Sequence, residues 1–287
     1  MNNLAEGYIG QEKVAYNESD AWIKIVSAYK MGTIAQARVN AIDSKKNIDN
    51  QVEGPGLILW IDRVKGLIPF KESLLKSPGD IRDIVGQIVA FKVKEINERT
   101  QTFSASRREA LEQMASVTWR TITPGQVRVA AARAVTKYRV IVDIGGITVP
   151  IPAREVSYYW VDDVRDYFSI GDTFDIKVIG VDQKNKKVSV SIRALQSDPW
   201  LDGHDKLPIN GQRVLGVVAA VKEGAGIYIN VEPGFVCFYA QKRHGYVRHA
   251  KGDRVLVEVR EVNCERRRLL VNLIERRNRS YGSSAAI

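Results

Sequence analysis

The 287-residue chain is 45% hydrophobic and 26% charged, the composition of a soluble globular protein, with 43 Lys and Arg against 33 Asp and Glu and a formal net charge of +10. It has no apolar run of about 18 residues, and its opening MNNLAEGYIG has no basic stretch ahead of an apolar one, so neither a membrane span nor an export signal is expected. Two cysteines, Cys237 and Cys264, are too few for a disulfide framework, lie in strand-like contexts and read as buried thiols in a reducing cytoplasm. From Asp205 onward there are 15 basic and 8 acidic residues, so most of the positive excess lies late in the chain and points to a polyanionic partner.

Residues 1–16 show no periodicity and are expected to be loose, the first part of an N-terminal segment over 1–27. Ser19 and Asp20 offer a helix start, after which Trp22, Ile25, Val26 and Tyr29 recur at helical spacing up to Gly32. Alternating apolar and polar residues then predict strands over 34–42, 57–61, 66–70, 88–96 and 102–106, a first β-domain at 28–109. The polar segment 43–56 between its first two strands is longer than a tight turn and reads as a mobile loop. Residues 107–117 read as a connecting helix with Leu111, Met114 and Ala115 on one side.

A second β-domain at 118–196 repeats the plan, with strands over 127–135, 138–144, 148–151, 174–181 and 188–192. Its third and fourth strands are joined by a short helix and loop carrying Tyr158, Tyr159 and Trp160, aromatics read as packing in preference to a stacking surface. A polar linker at 197–208 leads to a shorter third β-domain at 209–277, and residues 278–287 read as a flexible tail.

The plan rests on an internal repeat. Gly86, Gly171 and Gly252 are each followed 11 residues later by Asn or Asp (Asn97, Asp182, Asn263), with an alternating run between and a second one after a short polar stretch. In these runs Val89, Phe91 and Val93, then Phe174, Ile176 and Val178, then Val255, Val257 and Val259 fall on one face and predict the cores. The fold class is therefore mainly β: three tandem five-stranded barrels of the OB type, joined by short helices and linkers.

The runs GDTFDIKVIGVD (171–182), VSVSIRALQSDPW (188–200), GAGIYINVEPGFVCF (224–238) and GDRVLVEVREVN (252–263) resemble the S-one (S1) RNA-binding domain, repeated in tandem in the large S-one protein of the bacterial small ribosomal subunit. The resemblance implies a non-enzymatic protein binding single-stranded RNA, mRNA in particular, in partnership with the small subunit, with no cofactor and no membrane. Carried over by position, it implies RNA contacts from Tyr138, Asp182 and Lys187 in the second domain and from Tyr228, Asn263 and Arg268 in the third. Arg266 joins Arg268 as a phosphate contact in the last hairpin, and the first domain offers Asn97 and Arg38. Ile58, Thr102, Ile141, Pro69, Pro152 and Cys237 depart from the family pattern, most heavily in the first domain.

An exposed tyrosine on a barrel face stacks an unpaired base whatever its identity, while neighbouring cations hold phosphates. A half-buried strand tyrosine is the alternative reading of each residue taken singly. Two further functional readings stay open: the first domain as a docking module for the ribosome or another protein, and single-stranded DNA as the ligand. The three histidines, His204, His244 and His249, have no thiolate partners at metal-ligand spacing, so no metal site is expected.

Overall fold

The structure, a computed structural model, describes residues 5–7, 18–43, 55–77, 80–201, 208–222, 225–231, 234–240 and 249–277. Most of the predicted loop at 43–56, much of the linker at 197–208, the tail, and His204 and His244 lie outside them. In chain order the elements are α1 (Glu18–Met31), β1 (Ile34–Asp43), β2 (Gly56–Ile61), β3 (Val64–Ile68), α2 (Asp80–Ile84), β4 (Ile88–Asn97), β5 (Thr102–Ser106) and α3 (Arg107–Thr121). They continue with β6 (Val127–Thr136), β7 (Arg139–Asp143), β8 (Thr148–Pro152), β9 (Thr173–Asp182), β10 (Lys187–Ser191), β11 (Arg213–Lys222), β12 (Gly226–Val231), β13 (Phe235–Ala240), β14 (Arg254–Asn263) and β15 (Arg268–Arg277).

All three repeats build the expected five strands. The first and third close as barrels in the orders β1-β2-β3-β5-β4 and β11-β12-β13-β15-β14, through parallel pairing of their third and fifth strands (Gly66 with Phe103, Cys237 with Leu269). The second keeps the same neighbours, β10-β9-β6-β7-β8, without a ladder at that seam. Pro150 and Pro152 in β8 have no N–H to contribute there. Beyond the strand, the Glu155 carbonyl accepts from the Ile192 amide at 2.9 Å and from Ser191 Oγ at 3.3 Å.

The repeated glycines anchor the first strand of each sheet to the fourth. Gly86, Gly171 and Gly252 have φ of +85°, +93° and +90°, and each donates its N–H at 2.8 Å to the carbonyl of Val39, Ala132 or Val218. The residue after each glycine returns the bond: Gln87, Asp172 and Asp253 accept from the amides of Val39, Ala132 and Val218 at 2.8–2.9 Å. In the first and third barrels the register shifts just past these anchors, at Val39/Ala41 and Val218/Ala220, bulges that bend the strand round the barrel. A Cβ at Gly86 or Gly171 would meet nothing within 4 Å, so the backbone angle alone demands glycine.

The repeated Asn or Asp caps the turn after the fourth strand. Asn97 Oδ1 accepts from the Arg99 amide at 3.1 Å, Asp182 Oδ1 from Asn185 at 3.0 Å, and Asn263 Oδ1 from Arg266 at 2.8 Å. Four residues after each cap the chain takes a left-handed residue, Gln101, Lys186 or Arg267, at φ of 48–49°. The 11-residue spacing is thus the length of a strand between its anchor and its cap.

Contacts divide the chain into two compact units: Met1–Val135 with Val140–Pro150 and Phe168–Val190, and Thr136–Arg139 with Ile151–Tyr167 and Ser191–Ile287. In the first unit, the segment expected to be loose contains Glu6, only 1% exposed. Its Oε1 accepts from the Ala90 amide at 3.0 Å and Arg107 Nε at 2.7 Å, and its Oε2 from Arg107 Nη2 at 2.7 Å. Arg133 Nη2 pairs with Oε2 at 3.1 Å while its Nη1 donates to the Ile88 carbonyl at 2.8 Å. The Glu6 amide donates to Asp143 Oδ1 at 2.6 Å, and Gly7 to Gln36 Oε1 at 2.9 Å. Low hydrophobic content hid this segment from periodicity, because it is held by charge and backbone bonds instead of an apolar face.

Helix α3 starts at a reciprocal-type cap signal, Ser106 followed by Glu109, with Ser106 Oγ accepting from the Glu109 amide at 3.0 Å. It runs to Thr121, past the expected 117, because buried Thr118 donates to the Gly145 carbonyl at 2.7 Å. The turn approaches so closely that a Cβ on Gly146 would sit 2.5 Å from the Leu111 carbonyl. Asp143 Oδ1 and Oδ2 accept from the Gly145 and Gly146 amides at 2.9 and 3.0 Å.

In the second unit the start of the expected linker is core. Trp200, 8% exposed, joins the apolar cluster of β11–β15 and meets Phe235 edge-on at 5.1 Å.

Gly171→Ala should destabilise the second sheet by about 1–2 kcal/mol through its backbone angle alone, read as faster amide exchange at Ile176 and Val178. Glu6→Gln leaves two buried guanidinium groups undercompensated and should cost about 3–5 kcal/mol in denaturant unfolding of the full chain. Burial, aided by the Glu6 charge, raises Asp143 to about 6 against the opposing pull of three amide donors. A carboxyl raised in the folded state stabilises the fold below its unfolded value near 4 and loses that contribution as pH rises through about 6. The stability of Asp143→Asn relative to wild type should therefore increase between about pH 4 and pH 7; a constant difference across that range counts against an ionising Asp143.

Candidate nucleic-acid interface

Strand alternation sets the chemistry of one outer face of the third barrel. Ile227, Ile229 and Val231 of β12 point inward, as do Phe235 and Cys237 of β13 and Leu269 and Val271 of β15. Tyr228, Phe238 and Arg268 consequently point out. Tyr228 and Phe238 are direct cross-strand partners, their rings 5.1 Å apart.

Onto this face the segment 153–162 of the same unit adds a wall, making a groove of about 1040 Å³. The Trp160 indole stacks on Tyr228 at 4.0 Å and 17°, and its backbone N–H donates to Asn230 Oδ1 at 3.0 Å. Lys222 Nζ stands 5.1 Å from the Tyr228 ring and 5.3 Å from the Trp160 ring, within cation–π range of both. Arg193 lies over Tyr158 at 5.2 Å, and Lys137 over Tyr138 at 5.9 Å. Lys137, Arg154, Arg193, Lys222, Arg267 and Arg268 line the groove against one acid, Asp162. Arg267 also pairs with Asp198 at 2.9 Å.

Two donors and one thiol refine this picture. Trp160 Nε1–H is buried with no hydrogen-bond partner among the described residues, an unmet donor that a bound acceptor would satisfy. Cys237 forms part of the floor, and burial pushes its thiol up to about 12, so it stays protonated and inert at neutral pH, whereas Cys264, expected to be buried as well, is exposed in the turn between β14 and β15. Burial and the nearby Asp198 carboxylate raise the Tyr158 phenol.

Of the residues expected at the site, Tyr138, Tyr228 and Arg268 come together in this groove, and Tyr138 is 71% exposed. Tyr228 is half-buried with a ring already engaged by Trp160. Asn263 is the turn cap, and Arg266, exposed in that turn, is not among the groove residues. Asp182 and Lys187 belong to the first unit, where hydrogen bonds from Asn185 hold the Asp182 carboxyl below the usual range. Arg38 is exposed and its Nη1 donates to the Gly86 carbonyl at 2.8 Å. Trp160, Phe238, Lys222, Arg154 and Arg193 were not expected there. Trp160 packs, as the sequence favours, but on Tyr228 of the next repeat.

The matching face of the first barrel is chemically different. Its groove, about 690 Å³, mixes Asp43, Glu95 and Glu98 with Lys65 and Arg99. Where the third barrel has Cys237 the first has Gly66, and the Phe103 ring covers it so closely that a Cβ there would lie 2.2 Å from the ring. Among the described residues no group of three or more His, Cys, Asp or Glu could hold a metal ion, and no helix is long and apolar enough to cross a membrane.

Residues 122–193, which enclose β6 to β10, match the sequence family described as the S1 RNA binding domain. The match lies within the second repeat. Over 250 residues it is 27% identical to small ribosomal subunit protein bS1 of Mycobacterium tuberculosis, spanning 81% of this chain and 51% of that protein. Over 287 residues it is 24% identical to bS1 of Coxiella burnetii, spanning 95% and 49%. It is also 25% identical over 241 residues to 37% of the 4-hydroxy-3-methylbut-2-enyl diphosphate reductase of Clostridium acetobutylicum. The chain thus covers about half, or less, of each of these relatives.

A Trp160→Ala variant of this groove should lose the stack on Tyr228 and make the Asn230 region exchange faster. Near-ultraviolet circular dichroism checks it: an unchanged aromatic band would place Trp160 elsewhere in solution.

Proposed function

We propose that this protein belongs with the S1-domain proteins and is a non-enzymatic binder of single-stranded RNA, working in translation with the small ribosomal subunit and mRNA, and that its RNA site is the aromatic and basic groove of the second unit. The observation that carries the proposal is the Trp160–Tyr228 stack under Lys222, beside the open ring of Tyr138 and the cations Arg154, Arg193 and Arg268. Rings of this kind accept any base by its π-face, and flanking guanidinium and ammonium groups neutralise phosphates. The mixed-charge face of the first barrel lacks this chemistry, so the proposal assigns RNA to the second unit and leaves Arg38, Asp182 and Lys187 outside the site.

Titration of the full chain with a fluorescent oligouridine tests the site. Tyr138→Ala should weaken binding by about 1–3 kcal/mol with no loss of folding, since the ring is exposed; equal affinity would remove Tyr138 from the site. Arg268→Gln should flatten the dependence of log affinity on log salt by about 0.7, while Arg266→Gln should leave it unchanged. The reverse pattern would move the phosphate path to the hairpin turn. An oligodeoxyuridine of equal length serves as competitor, and tighter binding of the DNA would make single-stranded DNA the ligand.

A further inference from the structure

A second groove of about 460 Å³ lies on the same unit, lined by Tyr159, Tyr167, Leu215, Gly216, Val217, Asn230 and Arg254. Its aliphatic and aromatic side chains are open to solvent: Leu215 is 56% exposed, Val217 44% and Tyr167 52%. Alternation along β11 explains why, because Val214, Gly216 and Val218 face the core and Leu215 and Val217 remain outside.

This groove adjoins the first across a shared residue, Tyr159. In register, Arg254 of β14 faces Val217 of β11, Val217 faces Asn230 of β12, and Asn230 faces Val236 of β13. Asn230 lines the second groove and Val236 the first, and Tyr159 lines both. On β12, Tyr228 and Asn230 are two residues apart on one face, the former in the first groove and the latter in the second. The chain at Tyr159 and Trp160 passes between the two grooves, held by the Trp160 N–H to Asn230 Oδ1 bond and by Asn230 Nδ2 donating to the Trp160 carbonyl at 3.5 Å.

Two tyrosines over an aliphatic floor, with one arginine at the edge, supply ring faces for a base and a cation for a phosphate. In the 162–166 segment the acids are already paired, with Lys251 reaching Asp166 at 3.0 Å and Asp162 at 3.8 Å and Arg165 holding Asp163 at 2.6 Å, while Asp253 beside Arg254 accepts from the Ala250 amide at 2.9 Å. We propose that the second groove is an extension subsite for the same single-stranded RNA, which crosses the Tyr159–Trp160 ridge and places a further nucleotide against Tyr167 with its phosphate at Arg254. The inference rests on the RNA reading of the first groove.

The test is a length series. The full chain is titrated with oligouridines from about 4 to about 16 nucleotides at one salt concentration, as wild type and as Tyr167→Ala, Arg254→Gln and Leu215→Glu. All three positions are exposed, and thermal melts verify that each variant is folded; Tyr167→Phe stands in as the variant that keeps the ring. Wild type and Tyr167→Phe should gain affinity with length beyond the shortest binding oligomer. The other three should bind that shortest oligomer as wild type does and lose on the order of tenfold on the longer ones. Equal binding of long oligomers by wild type and variants overturns the subsite while leaving the first groove intact, and the exposed patch is then a protein-docking surface. An equal loss at every length also overturns it, because the residues then act on the first groove. Failure of wild type to bind any oligomer removes the RNA reading itself and the subsite with it.

Discussion

A sheet of only five strands must coil hard to bury one face, and the backbone must bend at defined points for it to do so. In this protein those points are the same in every repeat. A glycine at positive φ exchanges two hydrogen bonds with the first strand, and in both closed barrels a bulge follows directly on that strand. An Asn or Asp then caps the exit turn of the fourth strand, ahead of a left-handed residue. The inward faces of the strands, the outward faces that meet ligand, and the reach of each connecting segment all follow from where these bends fall.

The bulge position shows how one scaffold takes different tasks. Eight residues after Gly32, Gly125 and Gly211, the glycines that precede the first strand of each sheet, stand Asn40, Arg133 and Ala219. Asn40 accepts from the Trp60 amide at 2.8 Å within its own barrel. Arg133 instead reaches Glu6 and the Ile88 carbonyl, tying the N-terminal segment to β4 and β6 within the first unit through buried charge. A buried ion pair of this kind contributes little net stability over an apolar cluster, but losing one partner is costly. Its geometry therefore specifies one docking of the segment and excludes others.

In the second unit the specifying contact is aromatic. The Trp160–Tyr228 stack and the Asn230 bonds hold the 153–162 segment against β12, and the groove exists because that segment is there. A third barrel taken by itself would present Tyr228, Phe238 and Arg268 on an open face. The segment adds Tyr158, Tyr159, Trp160 and Arg154, turning a face into a lined channel. The S1 match spans 122–193 and so includes this segment, although the ring it stacks on belongs to the following repeat.

Alternation and repeated turn residues made the three five-stranded sheets, the strand limits of the first two to within a few residues, and the outward placement of Tyr228 and Arg268 legible from the sequence, because these depend on local backbone geometry with period two; Tyr138, expected to open a strand, stands instead in the turn before β7. Local patterns also carried the Asn263 and Asp182 positions, though as turn caps, since a short polar side chain that can satisfy its own turn does so first. Three features were decided only by tertiary structure: the burial of Glu6, the incorporation of Trp200 into a core, and the meeting of Trp160 with Tyr228. Each joins residues far apart in the chain through a single side chain with no periodic neighbours, so no window of sequence holds both partners. Their energies come from desolvated charge and ring-on-ring contact, which exist only once the barrels have placed the two ends together.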